Sequence, residues 1–113
     1  MKATDTFRKR PYLHNCAQAV ACKYAHLLGG DADAVRERFA RCGTGGAPGG
    51  VCGALHAAVE AMPQEEPKIV EMFKERTGGH LTCADIKAKS GTPCPDCVQA
   101  ADDILEKLTG EGD

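Results

Sequence analysis

Residues Cys42 to Gly53 read C-G-T-G-G-A-P-G-G-V-C-G, and the rest of the chain is organised around them. Six of these residues are glycine, and a cysteine stands near each end. The residues that follow, from Ala54 to Met62, are apolar at helical spacing, which places Cys52 in the first turn of a helix. Backbone N–H groups and the positive end of the helix dipole favour a thiolate at such a position. The sequence therefore predicts a glycine loop that delivers a low-pKa cysteine to the start of a helix.

Start and stop signals divide the rest of the chain into a series of short helices. Asn15 and Asp31 are good N-caps, Gly78-Gly79 is a stop signal, and no run shows the alternation of a half-buried strand. We predict an all-α fold, a compact bundle of five to six short helices with the glycine-rich loop between helices two and three. Its helices are expected from Cys16 to Leu28, from Asp31 through Cys42, from Val51 to Met62, from Pro67 to Gly78, from Cys83 onward, and from within residues 94–97 to Leu108.

Size and composition indicate one small domain with a thin core. The chain has 113 residues and a net charge of −2; its hydrophobic fraction is 42%, much of it alanine, and tryptophan is absent. We expect an irregular lead-in over residues 1–13 and one helical domain, redox-active or metal-binding, over residues 14–110. So little core favours an added staple or a second copy of the chain, so a homodimer is one expectation. The mixed charges give no reason to expect nucleic acid or a membrane surface.

Cysteine is abundant, with seven residues. The polar N-terminus, M-K-A-T-D-T-F-R-K-R-P, lacks the apolar run of a signal peptide, and no stretch is long enough to span a bilayer. A cytoplasmic location is therefore expected, where thiols stay reduced. Cysteines in that compartment are more often metal ligands or redox catalysts than disulfide partners.

Four of the cysteines share one setting, the start of a predicted helix. Unpaired N–H groups point at such positions, so each is a candidate low-pKa thiol. Four thiolates are what a tetrahedral zinc ion or an iron–sulfur cluster requires. The alternative, a small buried apolar side chain at each place, explains one such cysteine better than it explains four. The four are Cys16 after Asn15, Cys52 after the glycine loop, Cys83 after Thr82, and Cys97 in the first turn of the last helix.

The segments around these thiols resemble the C_GCAxxG_C_C family, which is named for four spaced cysteines and is described as redox-active. The resemblance covers residues 14 to 105 and implies that Cys16, Cys52, Cys83 and Cys97 are the four thiols of that family. The sequence departs from the family at Ala57, where the motif has glycine, and in a shorter segment between helices three and four. The matching stretches are N-C-A-Q-A-V at 15–20, G-G-V-C-G-A-L at 49–55, the single Cys83, and C-V-Q-A-A from Cys97.

A second signal is C-P-D-C at the start of the last helix, formed by Cys94 and Cys97. A C-x-x-C pair at a helix start lowers the pKa of one thiol in thiol–disulfide enzymes. The strand and βαβ frame of a thioredoxin-like fold are not visible here. Cys94 is thus a candidate to resolve a disulfide with Cys97, or a reserve metal ligand.

The remaining candidates are weaker. Cys42 is expected to be buried on the inward face of helix two. Cys22 is expected to be an exposed thiol that takes no part in the site. His56 lies one turn after Cys52 and is a candidate to reach whatever Cys52 holds. No Ser-His-Asp or paired-carboxylate arrangement can be argued from spacing, and Asp102-Asp103 is expected on a solvated helix face.

The sequence thus favours a small redox protein with an iron–sulfur cluster, 2Fe-2S or 4Fe-4S, that exchanges electrons with a redox partner protein. Two alternatives stay open. One is a thiol–disulfide oxidoreductase that uses Cys94 and Cys97. The other is a zinc-stabilised binding module.

Overall fold

The structure is a computed structural model that describes residues 7–8, 14–42, 50–92 and 94–110, without the side chains of Cys83 and Cys94. The predicted glycine-rich loop falls mostly on residues 43–49 and lies outside this description. The all-α prediction is confirmed, because the described residues form six α-helices and no strand. The helices are α1 (Cys16–Lys23), α2 (Ala32–Arg38), α3 (Gly53–Ala61), α4 (Glu66–Thr77), α5 (Cys83–Asp85) and α6 (Cys94–Thr109).

The predicted N-caps form as expected. The Asn15 side chain accepts a hydrogen bond from the Gln18 N–H at 2.7 Å, and the Gln18 side chain accepts one from the Asn15 N–H at 2.9 Å. This reciprocal capping box makes Cys16 the first residue of α1. Asp31 caps α2 by accepting from Asp33 and Ala34, and Thr82 caps α5 by accepting from the Asp85 N–H at 3.2 Å. Local sequence therefore sets where each of these helices begins.

Two helix ends differ from the prediction. The first helix was expected to reach Leu28, but α1 ends at Lys23 and one 3-10 turn, Ala25–Leu27, follows. Hydrogen bonds of the i→i+3 kind satisfy the last carbonyl groups by tightening the chain there. Helix α2 ends at Arg38, so Cys42 lies beyond it and is half-buried rather than packed on its inward face.

Helices α1, α3 and α6 pack on one another, and α4 covers α3 and α6. Small side chains fill the centre, so the helices approach closely. Phe7 adds its ring to the same core, and its neighbour Arg8 donates a backbone hydrogen bond to His14. No helix in the described part of the chain is both long enough and apolar enough to cross a membrane. The fully buried alanines are Ala17, Ala19, Ala21, Ala54, Ala57, Ala58 and Ala101.

Two isolated β-bridges supplement the helices within the described residues. One joins Phe7 to His14. The other joins Val51 to Thr82, and beside it the Cys52 N–H donates to the Leu81 carbonyl at 2.8 Å. The second bridge fixes the start of α3 next to the start of α5, although the two helix starts are thirty residues apart in the sequence.

A buried ion pair joins α1 to α6. The carboxylate of Asp102 is fully buried and accepts from the Lys23 ammonium at 2.6 Å and from the Tyr24 hydroxyl at 2.7 Å. Burial by itself lowers the pKa of Lys23, but hydrogen bonds to Asp102 and Glu106 outweigh it, and the net pKa is raised. The expectation of a solvated Asp102 is therefore wrong, because the residue meets its cation across the core.

Candidate thiol site

Three of the four predicted thiols meet in the core. Cys52, the N-cap of α3, makes side-chain hydrogen bonds with both Cys16 at the start of α1 and Cys97 in the first turn of α6. None of the three is in a disulfide bond. Their side chains are nearly closed off from solvent, with exposed fractions of 8% for Cys16, 5% for Cys52 and 4% for Cys97. Three separate helices therefore present a thiol to one place, with Cys52 in the middle.

The backbone brings residue 83 to the same end of the bundle. Val51 and Thr82 are bridged, the Cys52 N–H is bonded to Leu81, and α5 begins at Cys83. The predicted helix start at Cys83 is therefore confirmed. Its side chain lies outside the described residues, so the prediction that this thiol joins the other three remains a prediction.

Gly53 allows the close approach of α1 and α3. A Cβ atom built on Gly53 would lie 2.4 Å from the Cys42 carbonyl oxygen, 2.7 Å from the Cys16 sulfur and 3.2 Å from the Ala17 Cβ. Distances below 3.0 Å to backbone leave no room for a methyl group. The glycine after Cys52 thus lets the Cys16 thiol lie directly against the first turn of α3.

The pKa of Cys52 contradicts the expectation of a low-pKa thiol. The hydrogen bond with Cys16 has the largest effect and by itself lowers the pKa of Cys52, since the Cys16 thiol can donate to a Cys52 thiolate. The hydrogen bond with Cys97 and burial act the other way, and the N–H of Leu55 offsets them only in part. Together these effects raise the pKa of Cys52 from 9.0 to about 11. The helix start favours the thiolate, but burial beside another thiol outweighs it.

This raised pKa predicts a stability loss in alkaline, reducing, metal-free solution. Because the folded-state pKa lies above the unfolded value, stability is full below pH 9.0 and falls as pH rises toward about 11. At about 1.4 kcal/mol per unit, the complete loss is about 2–3 kcal/mol, and roughly half of it has occurred by pH 10. Urea unfolding at intervals from pH 8 to 10 measures the slope, while staying below the range in which Lys23 titrates.

The matched comparison is Cys52→Ser, which removes the titrating thiol. Its free energy of unfolding should change less with pH over the same interval. Equal slopes for the two proteins, or a flat profile for the wild type, would contradict the assigned pKa.

The other candidate residues lie outside this contact. Cys42 is half-buried, and burial, followed by the charge of the neighbouring Cys16, raises its pKa. Cys22 is half-buried and points at the Ala32 carbonyl 3.9 Å away, so it is not the exposed thiol that was expected. The His56 ring packs against Phe39, with ring centroids 5.7 Å apart. The His56 Nε2 also lies 3.8 Å from the Glu60 carboxylate, and the His56 backbone N–H donates to the Cys52 carbonyl at 2.9 Å. No described contact joins the His56 side chain to the Cys52 thiol.

The C-P-D-C pair stands where the sequence predicts it, because α6 begins at Cys94 and Cys97 closes its first turn. The Cys94 side chain lies outside the described residues, so its role as a resolving thiol is untested. Among the side chains that are described, no group of three or more His, Cys, Asp or Glu is arranged to hold a metal ion. Cys16, Cys52 and Cys97 alone are thus not a finished metal site.

Sequence reasoning missed the residues that support the site rather than those that form it. Gly53 follows a candidate cysteine at a helix start, and that adjacency was an available signal for close packing. Lys23, Tyr24 and Asp102 gave none, since no local pattern links the end of the first helix to the middle of the last. Comparison of the chain with protein-family models found no match, and searches of curated proteins and of solved structures found none either.

Proposed function

We propose that the protein is a small cytoplasmic redox protein that binds an iron–sulfur cluster through Cys16, Cys52, Cys83 and Cys97 and exchanges electrons with a partner protein. The observation that carries the proposal is the meeting of Cys16, Cys52 and Cys97 from three helices. The resemblance to the C_GCAxxG_C_C family implies the same four thiols and supports the choice of Cys83 as the fourth.

The donor set fits the cofactor. Iron–sulfur clusters, 2Fe-2S and 4Fe-4S alike, are held by four cysteine thiolates. Cys52 keeps its proton to high pH because Cys97 and burial disfavour a second negative charge, and a bound cation removes that obstacle by replacing the proton. When bound, the cluster supplies a site that takes up and releases single electrons. The protein's own part is to exclude water and to offer N–H groups at helix starts that offset negative charge.

Thiol–disulfide exchange is the second candidate, and the direct contact of Cys52 with Cys97 favours it because neighbouring thiols can form a disulfide. The pKa of about 11 weighs against Cys52 as the attacking group. At pH 7 such a thiol is ionised in only about one molecule in ten thousand, and the thiolate is the nucleophile. Cys94 and Cys97 remain the proposed pair for this activity. A zinc-stabilised module uses the same four thiolates without redox chemistry.

Anaerobic purification tests the proposal. We expect brown protein with sulfur-to-iron charge-transfer absorption, iron and acid-labile sulfide in equal amounts, and reversible bleaching by dithionite. Colourless protein with one zinc ion per chain would replace the proposal with the zinc module. Colourless, metal-free protein that is folded and reduces disulfides would replace it with thiol exchange. Sedimentation of the same samples shows whether a homodimer forms.

A further inference from the structure

The buried ion pair between α1 and α6 lies on the two helices that carry Cys16 and Cys97. Asp102 stands five residues after Cys97 on α6, and Lys23 is the last residue of α1, which begins with Cys16. Asp102 is fully buried, and its carboxylate accepts from Lys23 and Tyr24 at 2.6 and 2.7 Å. Lys23 also bonds Glu106 at 2.5 Å, one helical turn further along α6.

The two helices are therefore tied together at two levels. At one level Cys16 and Cys97 both contact Cys52; at the other, Lys23 and Tyr24 meet Asp102. With a rise of about 1.5 Å per residue, the second level lies roughly 7–11 Å from the thiols along the two helices. Both helices run away from the thiols in the same direction, so the ion pair fixes how far one is shifted along the other.

A buried ion pair is a poor source of stability, since well-packed apolar residues often do as well. Its better-attested use is to select one register, because any other leaves a buried charge unpaired. A shift of one residue along α6 moves a side chain by about 1.5 Å and turns it by about 100° around the axis. Asp102 would then lose Lys23 and Tyr24 together and leave a buried carboxylate without these partners.

We propose that Asp102, with Lys23 and Tyr24, is a positioning residue that sets the register of α1 against α6 and so holds Cys16 and Cys97 against Cys52. Its effect on cluster binding rests on the proposed function. Its effect on the distance between the thiols does not, and the test uses that difference.

The test compares Asp102→Asn with Asp103→Asn in the full chain. Asp103 is the next residue on α6 and is also paired, with Arg76 at 3.2 Å, but it is half-buried and faces α4 rather than α1. Reduced, metal-free protein is treated with diamide, which takes two hydrogen atoms from two thiols as the disulfide forms. Peptide mapping by mass spectrometry then measures how fast Cys52 is joined to Cys16 or Cys97.

We expect Asp102→Asn to slow this disulfide at least about fivefold, because disulfide formation tolerates only small errors in geometry. Asp103→Asn should stay within about twofold of the wild type, since its contacts do not reach α1. Ile69→Val serves as a stability control: it thins the core on α4, the helix that packs on α3 and α6, and lowers the melting temperature. A positioning role predicts slow disulfide formation in Asp102→Asn only; a merely structural role predicts that the rate follows melting temperature in all three variants.

Tyr24→Phe keeps the buried ring and removes the hydroxyl that donates to Asp102, so it decides the matter if Asp102→Asn does not fold. It should slow the disulfide about twofold to threefold with its helix content unchanged. Wild-type rates in folded Asp102→Asn, or in Tyr24→Phe when that variant decides, would overturn the inference. If anaerobic wild-type protein holds no iron but Asp102→Asn still slows the disulfide, the cluster proposal fails and the positioning role stands.

Discussion

Cys52→Ser is expected to remove the iron–sulfur cluster completely, giving colourless protein under anaerobic conditions. Cys52 is the thiol that contacts both Cys16 and Cys97, so its replacement removes the central ligand of the three. Serine is close to cysteine in size but is a poor ligand for a soft metal. Iron and acid-labile sulfide per chain, read together with the visible absorption, should fall by more than about 90%.

Cys22→Ser is the matched control. Cys22 lies on α1 like Cys16 and is half-buried, yet the hydrogen bond described for its sulfur is to the Ala32 carbonyl rather than to another thiol. Its replacement by serine should leave the iron content unchanged, whereas Cys16→Ser, Cys83→Ser and Cys97→Ser should behave as Cys52→Ser does. Cys94→Ser should keep its colour if Cys94 is only a reserve ligand. Loss of the cluster in Cys94→Ser together with its retention in Cys16→Ser would show that the proposed ligand set is wrong.

Gly53→Ala should disrupt the site without altering any thiol. Alanine favours a helix over glycine by about 1 kcal/mol, so local propensity alone predicts a more stable protein. The added methyl group, however, would stand 2.4 Å from a backbone oxygen of Cys42 and 2.7 Å from the Cys16 sulfur. Neither the carbonyl nor the start of α1 can move without opening the contact between α1 and α3. We expect a net loss of more than about 2 kcal/mol and of most of the bound iron.

Urea unfolding and iron analysis of Gly53→Ala measure both effects, and Gly79→Ala is the control. Gly79 has a φ of +92°, and a Cβ there would meet nothing within 4 Å. Its substitution should cost about 1–2 kcal/mol of backbone strain and leave the iron in place. A Gly53→Ala protein with wild-type stability and wild-type iron would refute the close packing of Cys16 on α3.

The parts of the molecule that the sequence predicts are those set by neighbouring residues. Asn15, Asp31 and Thr82 cap helices through groups two or three positions away, and Gly78 ends α4 in the left-handed conformation that glycine tolerates. All four cysteines stand at helix starts as predicted: Cys16 and Cys83 follow the capping residues Asn15 and Thr82, Cys52 is the N-cap of α3, and Cys97 lies in the first turn of α6. The sequence predicts that Cys16, Cys52 and Cys97 meet only through the hypothesis that they bind the same cluster. Their spacing along the chain does not give their distance in space.

What the sequence could not predict depends on contacts between distant segments. The low pKa expected for Cys52 followed from the helix start alone, whereas the actual direction is decided by Cys97 and by burial. Asp102 looked like half of an exposed acidic pair, yet its partner Lys23 comes from the first helix. In both cases a local rule was sound and a non-local neighbour outweighed it.

Because the three thiols lie on separate helices, α1, α3 and α6, the site can form only after these helices have packed together. Positions 16, 52 and 97 span most of the chain, and closing such long loops costs entropy that only the finished packing returns. We therefore expect the individual helices to form early and the thiols to meet late, near the end of the folding reaction. During that interval Cys16, Cys52 and Cys97 have neither one another nor a metal for protection, so newly made chains are the population most open to oxidation. A cofactor delivered from outside would have to reach the chain after α6 docks and before the thiols are closed off from solvent.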